Sequence, residues 1–147
     1  MNKAEVLQRI LELGIVPVIR AASIEEALSA TEGLYQGGLP IVEITMTVPG
    51  AVAAIRSLVQ QRSQDILLGA GTVLDLATAR QCIEAGAQFL ASPGLDLETV
   101  AFARSQNKVM FAGALTPTEI IAAWRAGSDF VKVFPATPWA GPNTLPR

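Results

Sequence analysis

Short apolar runs alternate with capped amphipathic stretches from Ile15 to Pro135, and this alternation constrains the fold more tightly than any other feature. Residues 2–13 carry Val6, Leu7, Ile10, Leu11 and Leu13 on one side and stop at Gly14, the pattern of an amphipathic helix. The apolar run 15–19, ending at Arg20, predicts a buried strand. Ser23, with Glu26 three residues on, predicts a capping box and a helix to about Tyr35, closed by Gly37 and Gly38. Further strands are predicted over 41–46, 66–70, 88–91, 108–112 and 129–135. Further helices are predicted over 49–61, 75–85, 96–106 and 116–127, the last with Pro117 at its first position and Glu119 at its third. Strict β-α alternation with short loops implies a parallel sheet with helices outside it, and strands that are almost wholly apolar suit a sheet covered on both faces. Two closures satisfy this α/β pattern: a (β/α) barrel and an open, doubly wound sheet. The first loop has no GxGxxG fingerprint, so nothing supports a dinucleotide site. A complete barrel needs eight strands and roughly 250 residues, more than the 147 residues of this chain.

Composition removes several classes of chemistry. There is no histidine, which excludes histidine triads, histidine metal sites and the usual neutral-pH proton shuttle. Cys82 is the only cysteine, so neither a disulfide framework nor a cysteine cluster can form. No metal or other cofactor is expected. The net charge of -2 gives no footprint for nucleic acid or an anionic membrane. No apolar run is long enough to span a bilayer, and the N-terminal stretch lacks a leader pattern, so a cytoplasmic protein is expected.

The polar residues that interrupt the strands fall at their C-terminal ends: Arg20, Glu43 with Thr45 and Thr47, Thr72, Ser92, Thr116 and Lys132. In barrels and open α/β sheets alike this is the ligand edge. Lys132 sits in the middle of Asp129-Phe130-Val131-Lys132-Val133-Phe134-Pro135, between β-formers. A lysine there either runs its stem to water or loses its charge, and the uncharged amine is a nucleophile toward carbonyls. Alternation along residues 41–47 puts Ile41, Glu43, Thr45 and Thr47 on the face opposite Val42, Ile44 and Met46. A carboxylate inside an apolar strand must be paired or used. Glu43 is therefore either half of a structural ion pair with Lys132 or Arg20, or an acid/base group. Gly69-Ala70-Gly71-Thr72 would let backbone approach a ligand, with Thr72 as a donor. Together these groups suit chemistry on a 2-oxo acid, a lysine forming the iminium and a carboxylate moving protons.

The ordered set Val16-Pro17-Val18-Ile19-Arg20, Val42-Glu43-Ile44-Thr45, Gly69-Ala70-Gly71-Thr72-Val73-Leu74, Glu84-Ala85-Gly86-Ala87-Gln88-Phe89, Ser92-Pro93-Gly94 and Phe130-Val131-Lys132-Val133-Phe134-Pro135-Ala136 resembles the 2-dehydro-3-deoxy-6-phosphogluconate / 4-hydroxy-2-oxoglutarate aldolase family, class I aldolases on a TIM (β/α)8 barrel. The resemblance covers about residues 3–136 and implies an incomplete barrel of about six βα units. It implies that Lys132 forms the Schiff base and that Glu43 is the general acid/base. Thr72 and Pro93 would line a pyruvate pocket, and Arg20 would hold the substrate carboxylate or its tail. The implied reaction cleaves a 4-hydroxy-2-oxo acid to pyruvate and an aldehyde, glyceraldehyde 3-phosphate or glyoxylate, in a homo-oligomer, by resemblance a trimer.

Two departures stand out. Many members carry an arginine four residues after the glutamate, where this chain has Thr47, which bears on substrate preference. Residues 137–147, TPWAGPNTLPR, are expected to lie outside the family pattern. Back-translated with free codons and shifted by one base, the tail can be read from Ala136 as CNAMGGPKYLTA, which resembles the family's Gly-Gly loop and following helix. The expectation is a frameshifted, truncated aldolase: 1–136 an incomplete barrel and 137–147 a non-family tail. Such a chain would expose its first and sixth strands, would tend to associate, and would lack the phosphate site built after strands 7 and 8. A non-catalytic remnant is the alternative.

Overall fold

The apolar runs pair into a single six-stranded parallel sheet in the order β1-β2-β3-β4-β5-β6, and this order decides between the two closures. A doubly wound sheet reverses its strand order at a switch point. Here every crossover steps to the next position in the same direction. With right-handed crossovers, all such helices land on one side and leave the other free to curl inward. The computed structural model describes residues 1–136, so the tail at 137–147 lies outside the described residues. Element order is α1 (Lys3–Leu13), β1 (Val18–Ile19), α2 (Ile24–Gln36), β2 (Ile41–Thr45), α3 (Ala51–Arg62), β3 (Leu67–Gly71), α4 (Leu76–Glu84), β4 (Phe89–Ala91), α5 (Leu97–Ser105), β5 (Val109–Ala114), α6 (Pro117–Ala126) and β6 (Phe130–Val133). This is an α/β fold of six parallel strands and six helices among the described residues, an incomplete barrel.

Side-chain alternation splits the core in two. Val42, Ile44, Leu68, Ala70, Leu90, Met110 and Ala112 point outward and pack under the helices against Ala27, Ile55, Leu58, Cys82, Val100, Ala103 and Ala123. Ile41, Leu67, Phe89 and Val109 point inward and meet Val6 and Ile10 of α1, which plugs the N-terminal end of the sheet. Phe89, Phe111 and Phe130 continue this inner layer across three strands, with ring centroids 5.6 and 4.4 Å apart. Burying one such ring contributes about 1.5–3 kcal/mol. Lys3 of α1 forms an ion pair with Asp129 at 2.8 Å, and the other Asp129 oxygen accepts the Met110 amide, so the plug is tied to the start of β6.

The start signals act as expected, with one variation. Thr116 and Glu119 form a full capping box, as do Asn2 and Glu5. Ser23 accepts the Glu26 amide, but the Glu26 carboxylate takes the amide of Ala22, one residue further back. Strand β1 is only two residues long, against the predicted run 15–19. Pro17 has no amide to donate, so the ladder to β2 begins with its carbonyl, which accepts the Glu43 amide. The strand around Lys132 is half-buried, with Val133 exposed, as expected of a sixth strand left at an edge. Among the described residues β6 pairs with β5 alone and β1 with β2 alone, so both are edges. A cleft of about 410 Å³ opens between them, walled by Val16, Val18, Phe111 and Phe130, with Glu43 and Lys132 in its lining.

Candidate active site

Because the strands are parallel, every residue at a strand's C-terminal end comes to one edge. Arg20 follows β1, Thr47 follows β2, Thr72 follows β3, Pro93 follows β4 and Lys132 lies in β6. Two of the predicted residues meet directly. Lys132 Nζ lies 3.4 Å from Glu43 Oε1, joining strands 89 positions apart in sequence. Glu43 is inside the sheet and 4% exposed, while the Lys132 side chain keeps 24% of its accessibility toward the cleft. The Phe134 ring stands 5.6 Å from Nζ. The ammonium thus has one carboxylate, one aromatic face and one open approach.

Glycines make the room that Glu43 needs. A side chain on Gly71, which pairs with Thr45 of the glutamate's own strand, would overlap the Glu43 carboxylate. One on Gly69 would overlap the Phe89 ring. The glycines expected to let backbone approach a ligand instead admit two inward side chains of the protein. That signal was present in the sequence, since a glycine two residues from another in an otherwise apolar strand marks close approach on one face. What approaches could not be read from one strand alone.

The remaining predicted residues are set by the loops. Thr72 adopts φ 57°, a left-handed conformation unusual for a β-branched residue, and it sits half-buried where the chain leaves β3. Thr47 is exposed and shares a 2.7 Å hydrogen bond with Thr45, whose hydroxyl lies 2.9 Å from the Ile19 carbonyl oxygen. The rim beside β1 and β2 is therefore held by hydroxyls. Arg20 is exposed and forms no ion pair among the described residues. Pro93 is half-buried, and its carbonyl lies over Gly113 of β5. No helix of the described residues is long and apolar enough to cross a membrane.

The family model described as KDPG and KHG aldolase matches residues 6–145. The chain belongs to the KDPG and KHG aldolase family. A 2-dehydro-3-deoxy-phosphogluconate aldolase of Treponema pallidum is 36% identical to it over 132 residues, 90% of this chain and 61% of that one. A 2-keto-3-deoxy-6-phosphogluconate aldolase of Zymomonas mobilis, solved with 3-phosphoglycerate, superposes with a TM-score of 0.81 at 30% identity, covering 92% of this chain and 64% of that one. The KDPG aldolase of Legionella pneumophila, solved with pyruvate captured as a covalent carbinolamine, superposes with a TM-score of 0.78 at 30% identity, covering 84% of this chain and 59% of that one. The chain spans about three fifths of the length of the curated aldolases it matches, 61% and 60% for two of them.

Proposed function

We propose that this chain is a class I aldolase whose Lys132 forms a Schiff base with a 2-oxo acid. The observation that carries the reading is the 3.4 Å pairing of Lys132 Nζ with Glu43 Oε1 on the inward face of the sheet, at the lip of an open cleft. A carboxylate at that distance can take a proton from the amine and return it to the carbinolamine hydroxyl. Water then leaves and the iminium forms. With a 4-hydroxy-2-oxo acid bound, a base removes the proton of the C4 hydroxyl. The C3–C4 bond breaks, its electrons pass into the iminium, and an aldehyde departs. The enamine left behind takes a proton at C3, and hydrolysis of the iminium frees pyruvate and the amine. Glu43 is the nearest carboxylate to Nζ among the described residues and serves each proton step in turn.

In this reading Thr72, Pro93 and Arg20 bind the substrate. The strained Thr72 backbone and the Pro93 wall bound the pyruvate end, and Arg20 meets a carboxylate or the distal tail. Thr47 supplies a hydroxyl where an arginine would supply charge, which favours aldehydes with less negative charge. The carbinolamine captured in the Legionella pneumophila aldolase supports a covalent lysine route. A cytoplasmic homotrimer is the assembly proposed with it. The test is release of pyruvate from 4-hydroxy-2-oxoglutarate, followed by a coupled reductase. Glu43→Gln keeps the shape and is expected to slow release by about 10²–10⁴-fold. Equal rates in parent and variant would remove Glu43 from the mechanism.

A second reading, a non-catalytic remnant, is favoured by the two edges. With β1 and β6 each paired on one side among the described residues, two strands of an eight-stranded barrel are unaccounted for there. Folded protein that forms no adduct with pyruvate would select it.

A further inference from the structure

We infer that Ser92 is a positioning residue of the carbonyl pocket, an inference that rests on the aldolase reading. Ser92 is 1% exposed at the end of β4. Its Oγ donates to the Gly94 carbonyl at 2.7 Å and accepts the Gly113 amide at 3.3 Å. Its own amide donates to the Phe111 carbonyl at 3.0 Å. One hydroxyl thus ties the residue after Pro93 to the C-terminal end of the neighbouring strand, with Pro93 held between the two anchor points. Gly113 is the position where this loop comes closest. A side chain there would overlap the Pro93 carbonyl carbon and oxygen and the Gly94 nitrogen. Gly113 lies two residues beyond Phe111, whose ring packs with the inward layer, so the Pro93–Gly94 peptide covers the inward face of β5. Gly113 is also the register partner of Lys132. Adjacent strands are about 4.8 Å apart, so the peptide stands one strand away from the residue that carries the amine. Ser92 touches neither the amine nor the carboxylate. It acts through the peptide, fixing one wall of the space in which a carbonyl compound must meet Nζ.

The test is borohydride trapping of pyruvate on Lys132 in the whole chain, measured as adduct against pyruvate concentration alongside a thermal melt. Ser92→Ala leaves the Gly94 carbonyl and the Gly113 amide without the hydroxyl. It is expected to raise the half-saturating pyruvate concentration by about tenfold, and Ser92→Thr, which keeps the hydroxyl, is expected to recover most of that loss. A purely structural role would lower the melting temperature and leave the half-saturating concentration of the folded protein unchanged, which would overturn the inference. Where Ser92→Ala does not fold, Ser92→Cys decides. It keeps the shape and weakens both bonds, and an unchanged half-saturating concentration overturns the inference equally. A parent chain that forms no adduct overturns the aldolase reading and this inference with it. A parent that does, matched by its Ser92 variants, overturns the inference alone.

Discussion

Gly71→Ala should disable the site without removing any titratable group. The new Cβ would stand 2.5 Å from Glu43 Cδ and 2.6 Å from Cγ, and would overlap Oε1. The backbone cannot yield, because Gly71 pairs with Thr45 and its carbonyl accepts the Met46 amide at 2.8 Å. The carboxylate must therefore retreat by roughly 1 Å to reach ordinary carbon–carbon contact, which breaks its alignment with Lys132. A displacement of that size costs roughly 10²-fold in rate, and overpacking a fixed core position costs about 1–3 kcal/mol of stability. The assay is pyruvate adduct formation per folded molecule, with stability from urea unfolding. Gly69→Ala is the control, since its Cβ meets the Phe89 ring and not the carboxylate. It should lose comparable stability and keep its trapping rate. Trapping by Gly71→Ala within threefold of the parent would refute the idea that the glycine exists to seat Glu43.

Further outcomes follow from two groups outside the cleft. The buried Ser128 hydroxyl accepts the Ala112 amide at 3.0 Å and lies 3.0 and 2.7 Å from the Met110 and Phe130 carbonyl oxygens. Ser128→Ala should therefore destabilise the chain by about 1–3 kcal/mol in urea unfolding, and leave the pyruvate dependence of trapping unchanged. Burial, with a smaller push from the Asp75 charge, raises the Cys82 thiol to about 11. Thiol labelling near pH 8 should run at least roughly a hundredfold slower in the folded than in the unfolded chain, since the buried thiol is also shielded from reagent. Stability should also fall as the pH rises from the ordinary thiol range toward 11, because the unfolded state sheds that proton first.

The βα alternation was legible because both of its signals are local. Caps such as Asp75, Asp96 and Thr116 mark where helices begin, and apolar runs mark the strands. The alternation of Ile41, Glu43 and Thr45 against Val42 and Ile44 was legible for the same reason, and it placed Glu43 on the inward face before any partner was known. The alternation did not choose between barrel and doubly wound sheet, since strand order is a property of tertiary pairing; the family resemblance did. Nor were the roles of Gly71, Gly113 and Ser92 legible, whose neighbours come from other strands. The shortness of β1 was encoded in Pro17 and masked by the apolar residues around it. The half-exposure of β6 followed from the count of six strands, since no pattern within the strand itself reports what lies beside that edge.

The central claim is that Lys132 is a nucleophile toward a 2-oxo acid, and borohydride reduction in the presence of pyruvate tests it most directly. Peptide mass spectrometry should find a reduced pyruvyl adduct on Lys132, absent from Lys132→Ala and absent without pyruvate. Folded protein carrying no adduct, or carrying it equally on Lys3 or Lys108, would contradict the account and leave the Lys132–Glu43 pair as a structural ion pair.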